Sequence, residues 1–284
     1  MEHLKIFINL TRLNKPIGFL LLFWPCSWGL AYAYNLDGNL NIFFYYLFLF
    51  LLGSILMRSA GCIFNDIVDK DFDKQVQRTK NRPIANEKIS IKTSAIYIIL
   101  LCLLSFLILI QFNLKTIFLG LGSMVFAFSY PFMKRITYWP QLFLGLTFNW
   151  GMIMAFSAIL DQVSIQIVIF YLAAIFWTLG YDTIYGVQDI ADDEIIGIKS
   201  AAIKFKENLK VFVFVCYLIA ILLIIYLFNK DIGLNLSTFF ILMFILSLIY
   251  QIKIFSRDNH FNCLKAFKLN NYSGFFMFLS ILLV

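Results

Sequence analysis

Apolar positions in this 284-residue chain fall into continuous runs near twenty residues long, with no sustained alternation and no narrow amphipathic stripe. Nine runs can be marked, at 17–34, 42–62, 94–112, 116–131, 138–160, 163–181, 211–228, 234–252 and 266–284. A helix needs about 20 apolar residues to cross the hydrocarbon core of a bilayer, so each run predicts a spanning helix. Strands of an outer-membrane barrel would alternate apolar and polar residues, which these runs do not. The expected fold is all-α: a polytopic membrane bundle of nine transmembrane helices, forming a single domain over residues 1–284. It reads loosely as two halves of four helices with one left over.

Composition supports the same reading. The chain is 61% hydrophobic and 14% charged, with mean hydropathy +0.84, and too little polar surface remains to cover a soluble bundle. Charge adds an orientation. With the N-terminus in the cytoplasm, twenty of the 23 Lys and Arg fall on the cytoplasmic side, Lys115 and Lys230 fall opposite, and Arg58 lies within the second span. The positive-inside rule therefore predicts a cytoplasmic N-terminus. The net charge of +7 is largely this bias, and no basic stripe with interleaved aromatics points to nucleic acid. Lys5, Arg12 and Lys15 before the first run, with Ala31-Tyr32-Ala33 after it, resemble a signal peptide. That run is long enough to span, and is read as a retained helix.

Acidic residues are not scattered. Of sixteen, eleven lie in 63–92 or 182–210, each segment following the end of an apolar run. A carboxylate at the centre of a span costs about 2.5–3.5 kcal/mol on insertion scales, so a cluster at a span's end marks a site. Asn65, Asp69 and Asp73 are spaced i, i+4, i+8, with Asp66 three residues before Asp69. Asp182, Asp189 and Asp193 are spaced i, i+7, i+11. On helices that continue past the membrane face, each set forms one stripe. Two facing all-oxygen stripes suit Mg²⁺ rather than zinc. The plainer alternative is that the acids only solvate helix ends. Against it stand the repetition of the pattern and the cations that follow: Lys74, Arg78, Lys80 and Arg82 after the first cluster, Lys199 and Lys204 after the second. Acid to hold metal and base to clamp phosphate is the combination a diphosphate requires.

Arg58 lies two turns before Asn65 and Asp66, inside a span, and needs an acidic partner or a bound anion. Arg12 and Lys15 are either anchors or ligand contacts, and Asn149 reads as a helix–helix hydrogen bond. The five cysteines are isolated and read as small apolar fillers, while His3 and His260 are far apart in sequence.

The motif Asn65-Asp66-x-x-Asp69-x-x-x-Asp73 with Asn81-Arg82-Pro83, and the later Tyr181-Asp182-Thr183, Asp189-x-x-x-Asp193 and Gly197-Ile198-Lys199-Ser200, resemble the UbiA family of intramembrane prenyltransferases. The likeness extends over nearly the whole chain. Lys15-Pro16-Ile17-Gly18, Trp24-Pro25, Met57-Arg58, Gly61-Cys62, Tyr130-Pro131-Phe132-Met133-Lys134-Arg135 and Asn270-Asn271-Tyr272 resemble its 4-hydroxybenzoate branch. One departure is Ile190-Ala191, where relatives tend to be more acidic.

The resemblance implies a central cavity opening near the cytoplasmic face, and Mg²⁺-dependent transfer of a polyprenyl group from its diphosphate to 4-hydroxybenzoate. It implies catalytic residues Asp66, Asp69, Asp73, Asp182, Asp189 and Asp193, with Asn65, Asp69, Asp73, Asp182, Asp189 and Asp193 holding metal. Substrate contacts are expected from Arg12, Arg58, Asn65, Lys74, Arg78, Arg82, Tyr130, Lys134, Arg135 and Lys199. Arg135 is the first candidate for the acceptor carboxylate, Arg12 the second, and Lys134 is assigned to the diphosphate. Asp182 could accept the phenol proton or bind metal. Rival readings are another family branch with a different acceptor, and a carrier that moves lipid-linked diphosphates without reaction.

Overall fold

The computed structural model describes residues 2–257 and 259–284. The chain runs through α1 (Glu2–Thr11), α2 (Ile17–Asp37), α3 (Leu40–Val68), the short α4 (Lys70–Asp73), α5 (Ile91–Leu109), α6 (Leu114–Ile136), α7 (Pro140–Leu160) and α8 (Ile165–Gly186). A single 3₁₀ turn at Val187–Asp189 leads into α9 (Ile190–Ile195) and α10 (Ala201–Lys204), followed by α11 (Leu209–Leu227), α12 (Leu236–Ile254) and α13 (His260–Leu282). The protein is all-α, as the apolar runs predict.

Eight helices among the described residues are long and apolar enough to cross a membrane. The ninth expected span lies in α13, which has the length but not the composition. It carries Lys265, Lys268, Asn270, Asn271 and Ser273. The two lysines are exposed, whereas Asn270, Ser273 and Ser280 are fully buried inside the protein. The count of nine is therefore not established by apolar length alone.

Polar residues start the helices. Asn39, Ser90, Asn113, Ser164, Asn235 and Asn259 each accept a hydrogen bond from the backbone N–H three residues on. Such caps satisfy an end group that lipid cannot. Between the caps the outward faces stay apolar, with Phe48, Leu103, Val125, Leu222 and Leu246 all more than half exposed. An apolar exterior of this extent is matched to hydrocarbon, not to water.

Helix α2 sits at the centre, packed on α3, α7 and α13. Its approach to α7 depends on Gly29, because a Cβ there would lie 2.3 Å from the Met152 carbonyl oxygen. Close backbone approach through small residues is how helices associate where lipid removes the hydrophobic drive. Three polar links tie α2 to α13: Trp24 Nε1 to Asn271 Oδ1 at 2.9 Å, Trp28 Nε1 to the Gly274 carbonyl at 2.8 Å, and Asn35 to the Ile281 carbonyl at 2.6 Å. Around this core α5 packs on α3 and α6 on α7, while α5 and α6 barely touch. Their divergence leaves a slot, and Ile99, Leu103, Leu121 and Phe128 line the interior cavity while remaining exposed outward. At one end of the bundle α4, the turns through residues 74–90, α9 and α10 form a polar cap over the cavity.

Candidate functional site

The cavity of about 1940 Å³ runs from the polar cap down between α2, α3, α5, α6 and α7 to Phe50 and Phe112. Both acidic motifs line its capped end: Asn65, Asp66, Asp69 and Asp73 from one wall, Asp182, Asp189 and Asp193 from the other.

Neither stripe is a plain helix. Helix α3 stops at Val68 and Asp69 forms its C-cap, yet Asp69 N–H still donates to the Asn65 carbonyl at 2.9 Å and Asp73 N–H to the Asp69 carbonyl at 2.8 Å. The i, i+4 register therefore survives the break. On the second wall the 3₁₀ turn at Val187–Asp189 tightens the path between α8 and α9. A helical wheel drawn straight through that turn misplaces Asp189 and Asp193 relative to Asp182.

Buried carboxylates require partners, and cations of the cap supply them. Asp66, Asp69 and Asp73 are 2%, 1% and 7% exposed. Arg12 Nη2 reaches Asp66 Oδ1 at 2.6 Å, and Arg82 Nη1 bridges Asp66 at 3.1 Å and Asp73 at 2.8 Å. Burial pushes the Asp73 carboxyl above the usual carboxylate range, and Arg82 pulls against that rise. Lys134 pairs with Asp69. Arg78 crosses the cavity mouth to Asp189 at 2.7 Å and donates to the Tyr185 hydroxyl at 3.0 Å. Arg12 holds a left-handed backbone, φ 56°, between α1 and α2. A non-glycine residue kept there carries strain, which its tie to Asp66 offsets.

Arg58 differs from these. Its Nη1 donates to Cys62 Sγ at 2.9 Å, its guanidinium lies 5.6 Å from the Phe148 ring centroid, and its Nε has no hydrogen-bond partner. Among the described residues no carboxylate pairs with it. Gly18 on α2 leaves room for it, since a Cβ there would meet Nε at 3.0 Å. The acidic partner expected for this span-embedded cation is thus absent, and the alternative, a bound anion, remains.

Two expected contacts fall outside the cavity lining. Lys74 is at the surface, hydrogen-bonded to Glu87 at 2.9 Å. Arg135 lies against the outer side of the bundle, 4.9 Å from the Phe72 ring centroid and donating to the Val68 carbonyl at 2.7 Å. It approaches Asp69 only at 3.7 Å. Lys134 and Arg135 are neighbours on α6, so the helix turns them about 100° apart and only Lys134 faces inward. Tyr130 and Lys199 do line the cavity, with Lys199 N–H donating to the Lys134 carbonyl at 2.8 Å. Asn149 makes the expected interhelical bond, to Thr178 Oγ1 at 2.8 Å. Sequence reasoning quoted Tyr181 within a motif without giving it a role and passed over Tyr185. Their spacing of four about Asp182 puts both on the cavity side of α8, and two hydroxyls beside an acid in an apolar run were the available signal.

The donor set suits a hard divalent cation in kind: an amide and carboxylates, all oxygen. Asp69 Oδ1 is buried without a hydrogen bond, and Asp182 and Asp193 make no ion pair among the described residues. Among those residues no three acids converge on one point, and Asp66, Asp69, Asp73 and Asp189 are each paired with a cation.

Comparison with known proteins gives a family. The model of the UbiA prenyltransferase family matches residues 22–282. The chain is 39% identical over 277 residues to the 4-hydroxybenzoate octaprenyltransferase of Polynucleobacter necessarius, covering 96% of this chain and 94% of that one. Among solved structures, a UbiA homologue from Aeropyrum pernix K1 aligns with TM-score 0.76 at 21% identity, over 92% of this chain and 96% of that chain. A UbiA homologue from Archaeoglobus fulgidus, bound to GPP and Mg²⁺, aligns with TM-score 0.71 at 19% identity, over 98% and 100%.

Proposed function

Because the chain belongs to the UbiA prenyltransferase family, we propose that it transfers a polyprenyl group from polyprenyl diphosphate to 4-hydroxybenzoate. The group joins the ring carbon ortho to the phenol, an early step toward ubiquinone. The observation that carries this reading is one continuous cavity with two chemistries. Its capped end gathers six carboxylates and at least four cations, and its depth is walled by apolar side chains down to Phe112. A diphosphate fits the first part and a long isoprenoid tail the second. The slot between α5 and α6 lets such a tail reach lipid.

When bound, magnesium held by Asn65, Asp69, Asp73, Asp189 and Asp193 supplies the positive charge a departing diphosphate needs. Lys134, Arg78 and Arg82 now neutralise these carboxylates. With metal at those carboxylates, these same cations would be the groups to bind the phosphate oxygens. As the allylic C–O bond breaks, negative charge grows on the diphosphate, where those groups stabilise it. The allylic carbon, electron-poor and shielded from water by the apolar walls, is taken by the phenol-activated ring, forming the C–C bond. Asp182 lies four residues inside the end of α8 and is uncommitted to any ion pair among the described residues, so it takes the displaced ring proton.

The acceptor's carboxylate needs a cation in an oily cavity. Arg58 fits, as a cavity guanidinium free of any carboxylate among the described residues, with an aromatic ring beside it. It replaces Arg135, which faces outward. The charge bias of the flanking segments supports a site at the cytoplasmic face of the inner membrane.

The test uses membranes containing the protein, ring-labelled 4-hydroxybenzoate and prenyl diphosphates of several lengths. Labelled prenylated acid is the expected product. Product only with homogentisate or a dihydroxynaphthoate would move the chain to another branch. Donor recovered intact with every acceptor would make it a carrier.

A further inference from the structure

Among the described residues, six buried side-chain polar atoms have no hydrogen-bond partner, and four of them belong to residues lining the cavity: Arg58, Asp69, Ser105 and Tyr181. The chemistry above employs Arg58 and Asp69. It leaves two hydroxyls, that of Ser105 on α5, remote from both acidic motifs in the chain, and that of Tyr181, next to Asp182 and only 1% exposed. A buried, unpaired hydroxyl is costly, and a residue that keeps one on a cavity wall has a partner still to come.

The nearby Thr178, one turn back on α8, already accepts from Asn149 at 2.8 Å and makes no hydrogen bond of good geometry with the Tyr181 hydroxyl, and the tyrosine is held in place. Its ring meets Trp177 edge-on at 5.0 Å and Phe267 at 5.9 Å. Trp177 is fixed in turn by Asn270 at 2.8 Å, Asn270 donates to Gln251 at 2.9 Å, and Tyr217 donates to the same Gln251 oxygen at 2.6 Å. This chain of satisfied bonds joins α8, α11, α12 and α13 behind the tyrosine and holds its position.

The depth of Tyr181 says what it meets. Arg58 lies eight residues before Asp66 on α3, and Tyr181 eight residues before Asp189 on α8. Arg58 thus lies two turns, about 12 Å, below Asp66, and on the facing wall Tyr181 lies beside Asp182, below Asp189 and Asp193 of the cap. A diphosphate seated among the acids is out of reach. The aromatic acceptor, whose carboxylate Arg58 holds, is within that lower layer. Its phenol oxygen both donates and accepts, as a tyrosine hydroxyl does.

We propose that Tyr181 is the residue that recognises the acceptor's phenol: its hydroxyl hydrogen-bonds the 4-hydroxyl of the aromatic acid, and so selects rings that carry one. This rests on the reading that the acceptor is a 4-hydroxyaryl acid. A ring lacking the hydroxyl leaves Tyr181 unpaired, and a site built to bond a hydroxyl discriminates against such analogues.

The experiment compares the wild-type protein with Tyr181→Phe and Arg58→Ala. It reads KM for 4-hydroxybenzoate, KM for the prenyl diphosphate, and the inhibition constant of benzoate, which keeps the carboxylate and lacks the phenol. Tyr181→Phe is expected to raise KM for 4-hydroxybenzoate about 3- to 10-fold, the size of one neutral hydrogen bond. Benzoate inhibition and donor KM should stay as in wild type. Arg58→Ala should weaken 4-hydroxybenzoate and benzoate alike. Equal weakening of both acids by Tyr181→Phe, a rise confined to the donor, or no change in any constant would each overturn the proposal. Failure of the wild-type protein to prenylate 4-hydroxybenzoate would instead remove the functional reading beneath it.

Discussion

At the scale of single residues, charge pairing decides which groups are available for chemistry. Asp69 is 1% exposed, pairs with Lys134 through one oxygen and leaves the other unsatisfied. Replacing Asp69 or Asp189 with Asn should cut turnover by at least ~10²-fold, the scale of losing a main electrostatic stabiliser. Asp231→Asn, remote from both motifs, should leave turnover at the wild-type level. Steady-state rates of the three variants check this. A second comparison sets Arg58 against Arg135, the residue that sequence put first for the acceptor carboxylate. Arg58→Ala should raise KM for 4-hydroxybenzoate ~10- to 100-fold, as expected for a charge-assisted bond of about 1.5–3 kcal/mol. Arg135→Ala should change it little, because that side chain packs on Phe72 and Phe132 and does not itself line the cavity. The acids were legible because carboxylates in an oily chain have few places to be. Which of Lys134 and Arg135 faces inward was not, since the rotation of α6 depends on its packing against α7. The unpaired state of Arg58 was equally hidden, being set by where Arg12, Arg78, Arg82 and Lys134 reach from distant segments.

At the scale of elements, the expected runs and the observed helices coincide closely in their centres, for instance 17–34 within α2 and 138–160 over α7. Length and hydropathy are local properties, and lipid leaves the backbone little choice but helix. The polar cap was far less legible. The break at Asp69 carries no Gly or Pro, Gly186 alone precedes the 3₁₀ turn at Val187–Asp189, and hydrophobic period does not register a turn of three residues. Helix α13 shows the converse difficulty. Its buried Asn270 and Ser273 lower its apolar score while serving contacts to α8 and α12. The α2–α7 crossing yields an element-scale prediction. Gly29→Ala places a methyl 2.3 Å from the Met152 carbonyl oxygen and should destabilise the bundle by about 1–3 kcal/mol, the usual cost of overpacking. A thermal unfolding scan in detergent should show a lower midpoint. An unchanged midpoint would mean that the two helices can part without loss.

At the scale of the whole molecule, the bundle encloses a charged reaction site inside an apolar exterior, and its orientation decides which compartment supplies the substrates. Twenty of 23 basic residues flank spans on the side of the acidic motifs, so that side should be cytoplasmic. Reporter fusions at Glu87 and Glu207 should report the inner side, and fusions at Asp37 and Asp161 the outer side. A reversed pattern would put the carboxylate layer outside the cell's supply of prenyl diphosphate. The central claim is that the two motifs together perform a metal-dependent group transfer. The most direct measurement is inorganic diphosphate released by the purified protein given polyprenyl diphosphate, with and without 4-hydroxybenzoate, and again after EDTA. The account predicts one diphosphate per prenylated acid when Mg²⁺ and both substrates are present, and release falling to background when EDTA removes the metal. Release that EDTA does not alter, or donor recovered intact with 4-hydroxybenzoate and Mg²⁺ present, would contradict it.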